Sequence, residues 1–296
     1  MNKNFKRFLS LLMAIFMIAS SSQISVSAEG TGLNGSGTEA DPYRIGTLEE
    51  LTFFRDSVNA GETVYNAQDV YVALTDDIDM ASVDWSVNIG DDFNASFDGI
   101  FDGNNHTISN LNSKETAAKG DGYTCTGLFG AIYDSAVIKN LTLENVTIDV
   151  ADFYGNNIGA LVGFAYLSTG SIENVTVKGD VSINAPEASS VGAIVGYAYN
   201  GSLTVSGCKV LANDESAIAA KSQTGAVIGY AGGKSNVTGC EVNNMDISAV
   251  GLVGAISGIT CGGTVADCTV SNVDLTVTGE KWQNSAAIAT GTISVP

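Results

Sequence analysis

Five segments of this chain carry one pattern, in which two glycines bracket an apolar stretch. They read GLFGAI (127–132), GALVGF (159–164), GAIVGY (192–197), GAVIGY (225–230) and GAISGI (254–259). A degraded sixth copy, AAIATGT, covers 286–292. The later glycines are Gly130, Gly163, Gly196, Gly229, Gly258 and Gly291, spaced by 33, 33, 33, 29 and 33 residues. Such a period limits the fold more than any other feature. Each repeat must meet the same kind of neighbour as the last, and none can bury its apolar side alone.

A second family lies between the first. It reads ISNL (108–111), IKNL (138–141), IENV (172–175), VSGC (205–208), VTGC (237–240) and VADC (265–268). Its third position holds Asn110, Asn140, Asn174, Gly207, Gly239 and Asp267. Glycine accepts left-handed backbone angles, and Asn or Asp can bond to nearby amides, so a turn is expected there. The residues after that turn alternate, as in Leu141-Thr142-Leu143 and Cys208-Lys209-Val210. A period of two with apolar ends indicates strand with one buried face. The expected fold is all-β: a right-handed parallel β-helix with about three short strands per coil. Equivalent residues then stand in columns about 4.8 Å apart. Ankyrin repeats need helices, and propeller blades need about 40 residues or more.

Residues 29–69 read differently. TLEELTFFRDSVNAG (47–61) places Leu48, Leu51, Phe53, Phe54 and Val58 at helical spacing. Thr47 and Glu50 match a capping box, and Gly61 ends the segment. A short helix capping the solenoid is expected here, with the β-helix running over 70–296. A cap is needed because an open coil exposes strand edges.

The start of the chain reads as an export signal. Lys3, Lys6 and Arg7 precede an apolar run over 8–19, and Val26-Ser27-Ala28 has the small-x-small pattern of a cleavage site. Residues 1–28 are therefore read as a signal peptide, which places the mature chain outside the cell or at its surface. No second stretch is apolar enough to span a membrane, and no LPxTG-like sorting motif is present. The 13 basic and 32 acidic residues become 10 and 32 without residues 1–28, a net charge of −22. That surface repels nucleic acid and anionic lipid.

Together GSGTEADPYRIGTLEEL (35–51), YVALTDDIDM (71–80), WSVNIG (85–90), FDGIFDGNNHTISNL (97–111) and the repeated glycine segments resemble bacterial GLUG-motif proteins. The resemblance covers about residues 35–291. It implies a secreted or surface protein with a right-handed parallel β-helix, of the kind also found beside IgA-protease-type metallopeptidase domains. Adhesion or binding is the activity it implies. An HExxH zinc site is excluded, since His106 is the only histidine.

His106 lies near Asp98 and Asp102, but both aspartates sit in DG pairs, which are turn signals. No catalytic residue is assigned. Asp76, Asp77, Asp79, Asp98 and Asp102 belong to an acidic run read as solvated turns, with a structural calcium site as the alternative. No other cofactor is expected. The five cysteines make an odd count, which argues against a disulfide framework. Cys208, Cys240 and Cys268 are read as core residues continuing a column begun by Leu111, Leu141 and Val175. Phe164, Tyr166, Tyr197, Tyr199 and Tyr230 follow the repeat glycines and suggest either a sugar-stacking strip or rings buried against a loop.

The leading expectation is a non-catalytic extracellular binding or adhesion module whose loops contact a glycan or protein. The alternative is a polysaccharide lyase or glycosidase, an idea that rests on fold analogy. Edge-to-edge self-association at the C-terminal coil is also expected if its last strand is open.

Overall fold

The computed structural model describes residues 32–91, 95–115, 125–150, 156–167, 169–279, 285–286 and 293–294. The expected signal peptide with its cleavage site, Asp92 and Gly291 lie outside the described residues. The described chain is a parallel β-solenoid with one short helix near its start.

One coil shows how the sequence builds the rest. Val137–Lys139 lies in sheet 1, and Asn140 then turns the chain at φ 52°. Thr142–Val150 comes next in sheet 2, then Asn157–Gly159 in sheet 3 and Val162–Leu167 in sheet 4. Ser171–Glu173 re-enters sheet 1 beside Val137–Lys139, residue for residue. The coils between Ile100 and Thr260 thus cross four sheets, where about three strands were expected. The extra strand exists because only Ala160 and Leu161 separate sheets 3 and 4. Among the described residues the sheets gather eight, nine, six and five strands respectively, and the strands pair in parallel.

The repeated glycines allow sheets 3 and 4 to meet. Gly163, Gly196, Gly229 and Gly258 stand in one column of sheet 4. A Cβ on Gly196 would lie 2.5 Å from the backbone N of Ile158 in sheet 3. One on Gly192, at the end of its sheet 3 strand, would lie 2.3 Å from the Val195 carbonyl. No side chain fits between these backbones.

The turn column corrects one expectation. Phe101 pairs with Ile138 and Asp102 with Lys139, whereas Ile108 pairs with Leu143. FDGN (101–104), not ISNL (108–111), is therefore the rung equivalent to IKNL. The connection after it is two residues longer, and Asn104 and Asn105 make its left-handed turn at φ 50° and 65°. Asn110 belongs to a second left-handed column, midway along sheet 2, with Asn145 and Gly179. Both columns use Asn or Gly, so a four-residue pattern could not separate them.

The N-terminal boundary also moves. Tyr43–Ile45 pairs in parallel with Tyr71–Leu74, so sheet 1 begins ahead of the helix and ahead of residue 70. Helix α1 spans Leu48–Asn59. Thr47 Oγ1 accepts from the Glu50 N–H at 3.2 Å, and Glu50 Oε2 accepts from the Gly46 N–H at 2.7 Å. Leu51, Phe54 and Val58 are buried. The Phe54 ring lies 5.8 Å from Phe97 and 6.1 Å from Phe101, and both of those pack on Phe129 at 5.3 Å. An aromatic cluster thus fills the core where the helix meets the first coils.

Candidate functional site: a rack of tyrosines on sheet 4

After each repeat glycine, sheet 4 keeps its period of two. Ala165, Ala198 and Ala231 are buried, and the residues on either side of each alanine share the opposite face. Phe164, Tyr197 and Tyr230 pair in register as an inner column. Tyr133 pairs with Tyr166, and Tyr199 stands one coil on, its N–H bonded to the Ala165 carbonyl at 2.9 Å. These three form an outer column and are 45%, 37% and 48% exposed.

The rings stack on one another. Along the outer column, Tyr133–Tyr166 and Tyr166–Tyr199 centroids are 5.4 and 6.0 Å apart. Along the inner column, Phe164–Tyr197 and Tyr197–Tyr230 are 5.7 and 4.6 Å apart. Tyr197 and Tyr199 join the columns at 6.0 Å. Interplanar angles run only from 9° to 24°. Six rings therefore stand like plates in a rack, each with a near-parallel neighbour.

This geometry alters what the strip can bind. A sugar stacks by laying its ring on an open aromatic face, and in the rack a neighbouring ring competes for the space between faces. Tyr133, Tyr166 and Tyr199 are the rings most open to solvent. The aromatic edge is the positive part of the ring quadrupole, and each phenol both donates and accepts hydrogen bonds. Packing has already fixed the rings, so a partner loses little rotamer entropy by docking on them.

The outer column ends in a thiol. Gly232 occupies the step after Tyr199, and a Cβ there would fall 2.6 Å from the Tyr230 ring, which fills that space. Cys261 takes the next step, its N–H bonded to the Ala231 carbonyl at 2.7 Å, and it is exposed. The Tyr230 phenol is pushed up to about 12, first by its hydrogen bond with the Cys261 side chain and then by burial. Burial, then Tyr199, also raises Tyr197. Both phenols stay protonated and able to donate at neutral pH.

The sequence singled out five of the six rack rings and missed Tyr133. The signal was present, because Tyr133, Tyr166 and Tyr199 each stand three residues after a repeat glycine. Ala131 interrupts the simpler rule that an aromatic comes directly after that glycine.

The acidic candidates lie elsewhere and mostly tie turns. Asp77 Oδ1 accepts from the Thr107 N–H at 2.8 Å and lies 3.2 Å from His106 Nδ1. Asp79 Oδ1 accepts from Asn110 Nδ2 and the Ala81 N–H at 2.8 and 2.9 Å. Asp102 Oδ1 accepts from the Asn104 N–H and Asn140 Nδ2 at 2.8 and 3.1 Å. Asp98 Oδ1 accepts from the Ser135 N–H at 3.2 Å, and burial raises its carboxyl. Asp76 is exposed. Among the described residues, no three His, Cys, Asp or Glu side chains gather as a metal-holding group. A different acidic hollow of about 350 Å³ lies where Asp214, Glu215, Asp246 and Asp274 meet Asn244 and Asn272. Sequence spacing did not reveal it, because these carboxylates are spread over three coils.

His106 has a place in the register. Thr107 pairs with Thr142, so His106 aligns with Leu141, and then with Val175, Cys208, Cys240 and Cys268. His106, rather than Leu111, heads the cysteine column. The three cysteines of that column are free and buried. Cys208 Sγ lies 3.6 Å from the Ile172 carbonyl, and Cys240 and Cys268 repeat that contact at Val205 and Val237. The Cys208–Cys240 hydrogen bond lowers Cys208 and pushes Cys240 up to about 12.

The fold and its repeats define a class: a parallel β-solenoid that carries the GLUG motif, whose family model matches residues 154–182. Among curated relatives, halomucin of Haloquadratum walsbyi is 32% identical over 152 residues, which is 51% of this chain and 2% of halomucin. A "Putative Gly-rich membrane protein" of Evansella cellulosilytica is 33% identical over 146 residues, 49% of this chain and 15% of that protein. The chain thus matches only a small part of either relative's length. A crystal structure described as that of a "putative immunoglobulin A1 protease" from Bacteroides ovatus superposes with a TM-score of 0.52. It covers 90% of this chain and 87% of its own at 18% identity, which shows a shared fold and nothing about activity.

Proposed function

We propose that this chain is a non-catalytic binding module of the cell surface or extracellular space, and that the tyrosine rack is its contact face. The observation that carries the reading is the rack itself: six aromatic rings in register on one strand face, three of them well exposed. Tyrosine is enriched where proteins bind, since it gives large, rigid, amphipathic area. Relatives named halomucin and a "Putative Gly-rich membrane protein" support a location at the cell surface. The export signal read from residues 1–28 agrees with that location. Rings already stacked on one another favour a protein surface, or a glycan held through its hydroxyl groups, over a glycan stacked flat.

The test is to apply the labelled chain to glycan arrays and to intact microbial and host cells. Saturable binding supports the module. Absence of binding on every surface removes the reading. The acidic hollow at Asp214, Glu215, Asp246 and Asp274 favours the second reading, a glycan-cleaving enzyme. Reducing ends or unsaturated sugars released from polysaccharides would select that reading instead.

A further inference from the structure

The rack has a property that a binding face does not need. Five of its six rings are phenols, and they form one unbroken path. Tyr133, Tyr166, Tyr199, Tyr197 and Tyr230 succeed one another at 5.4, 6.0, 6.0 and 4.6 Å between centroids. Phe164 cannot form a phenoxyl radical, so it offers no parallel route through the inner column. The path ends beside Cys261, the next side chain in the outer column after the gap at Gly232. Cys261 is exposed, whereas Cys125, Cys208, Cys240 and Cys268 are buried.

We propose that the rack is a one-electron oxidation relay that carries oxidising equivalents from its exposed tyrosines to the Cys261 thiol. A one-electron oxidant removes an electron from Tyr133, Tyr166 or Tyr199, and the phenol proton leaves to solvent. Each following ring donates an electron to the radical before it and loses its own proton, while the earlier ring regains one. The Tyr230 phenoxyl then takes the hydrogen atom from the Cys261 S–H, which restores the phenol and leaves a thiyl radical. Two such thiyls on two molecules couple to a disulfide. The net reaction is that two thiols and two one-electron oxidants give one disulfide, two protons and two reduced oxidants. The rings are unchanged at the end, so the relay spares the strand face from oxidative damage and links copies of the chain through a defined residue.

The experiment uses the whole chain and a photogenerated ruthenium(III) tris-bipyridine oxidant, at less than one equivalent per chain. Products are read by non-reducing electrophoresis, peptide mass spectrometry and dityrosine fluorescence. The wild-type chain gives a disulfide dimer through Cys261 and little dityrosine. Cys261→Ser removes the dimer, and dityrosine rises several-fold because the radicals stay on the rings. Tyr197→Phe keeps the ring and the stack but removes the phenol that joins the two columns. Its dimer yield falls several-fold, and dityrosine collects among Tyr133, Tyr166 and Tyr199. An unchanged dimer yield in Tyr197→Phe would mean that the oxidant reaches Cys261 directly, which overturns the relay. So would Cys261→Ser with no rise in dityrosine. A thermal melt of each variant matching wild type ties either result to the chemistry rather than to unfolding.

Discussion

Steric limits at single residues decide which side chains stand in the turn columns. A left-handed backbone angle costs most L-residues about 1–2 kcal/mol, and glycine and asparagine least. Nine of the twelve non-glycine residues with positive φ among the described residues are asparagine. Gly207 (φ 62°) shares its column with Asn140 and Asn174, so Gly207→Asn should shift stability by under about 1 kcal/mol. Gly196 is constrained differently: its φ is ordinary, but sheet 3 leaves no room for a Cβ. Gly196→Ala should cost about 3 kcal/mol or prevent folding, as read by urea melts of the two variants side by side. Sequence spacing located both columns. It could not say which glycines are there for their angle and which for their size, since that depends on a strand one turn of the solenoid away. The aspartates at the early turns add a pH dependence. The Thr107 N–H and His106 hold Asp77 below the ordinary carboxylate value, and Asn110 and the Ala81 N–H do the same for Asp79. A lowered carboxyl stabilises the fold fully above its unfolded pKa and loses that contribution as pH falls through the folded value. The melting temperature should therefore be flat above about pH 5 and fall below about pH 4. Asp79→Asn should flatten the acid limb, as a pH series of melts would show. Asp98, raised by burial, works against this trend.

Among the elements, helix α1 and the four-strand coil were legible to different depths. The helix was visible because its apolar spacing, cap and glycine stop all lie within fifteen consecutive residues. Its place inside the first coil was not visible, because the pairing of Tyr43–Ile45 with Tyr71–Leu74 spans the helix itself. Thr47→Ala removes the cap bond and should cost about 1 kcal/mol. Phe54→Ala opens the aromatic cluster against Phe97 and Phe101 and should cost about 3–5 kcal/mol. If both variants lose only the smaller amount in thermal melts, the helix is a peripheral cover rather than part of the core. The fourth strand was hidden in the sequence for a related reason. Two glycines a few residues apart read as one flexible strand until the Ala160-Leu161 turn shows them on opposite sides of a close backbone contact. The register of FDGIFDGNNHTISNL shifted by one strand because both left-handed columns prefer the same residue types. His106, read from the sequence as part of a turn, stands at the head of an otherwise apolar and thiol column.

At the scale of the whole molecule, the solenoid turns a local period of two into long surface columns. One residue in each coil becomes part of a continuous strip, so a binding face can be written as a single repeated position. That is how the rack arises, from residues one and three places after each repeat glycine. The pattern was readable as aromatics near coil spacing. The mutual stacking was not, because ring orientation depends on the neighbouring coil and on the gap at Gly232. A flat strand face can carry a contact as well as a loop can, and the rack lies on a strand face. The most direct measurement is the binding of two chains to the same labelled surface, the cell or glycan that captures the wild type. One chain is wild type, and the other carries Tyr133→Ser, Tyr166→Ser and Tyr199→Ser with its circular dichroism unchanged. Loss of affinity by about tenfold or more, which is about 1.4 kcal/mol, is the expected result. Equal affinity for the two chains would place the contact elsewhere on the solenoid and contradict the assignment of the rack.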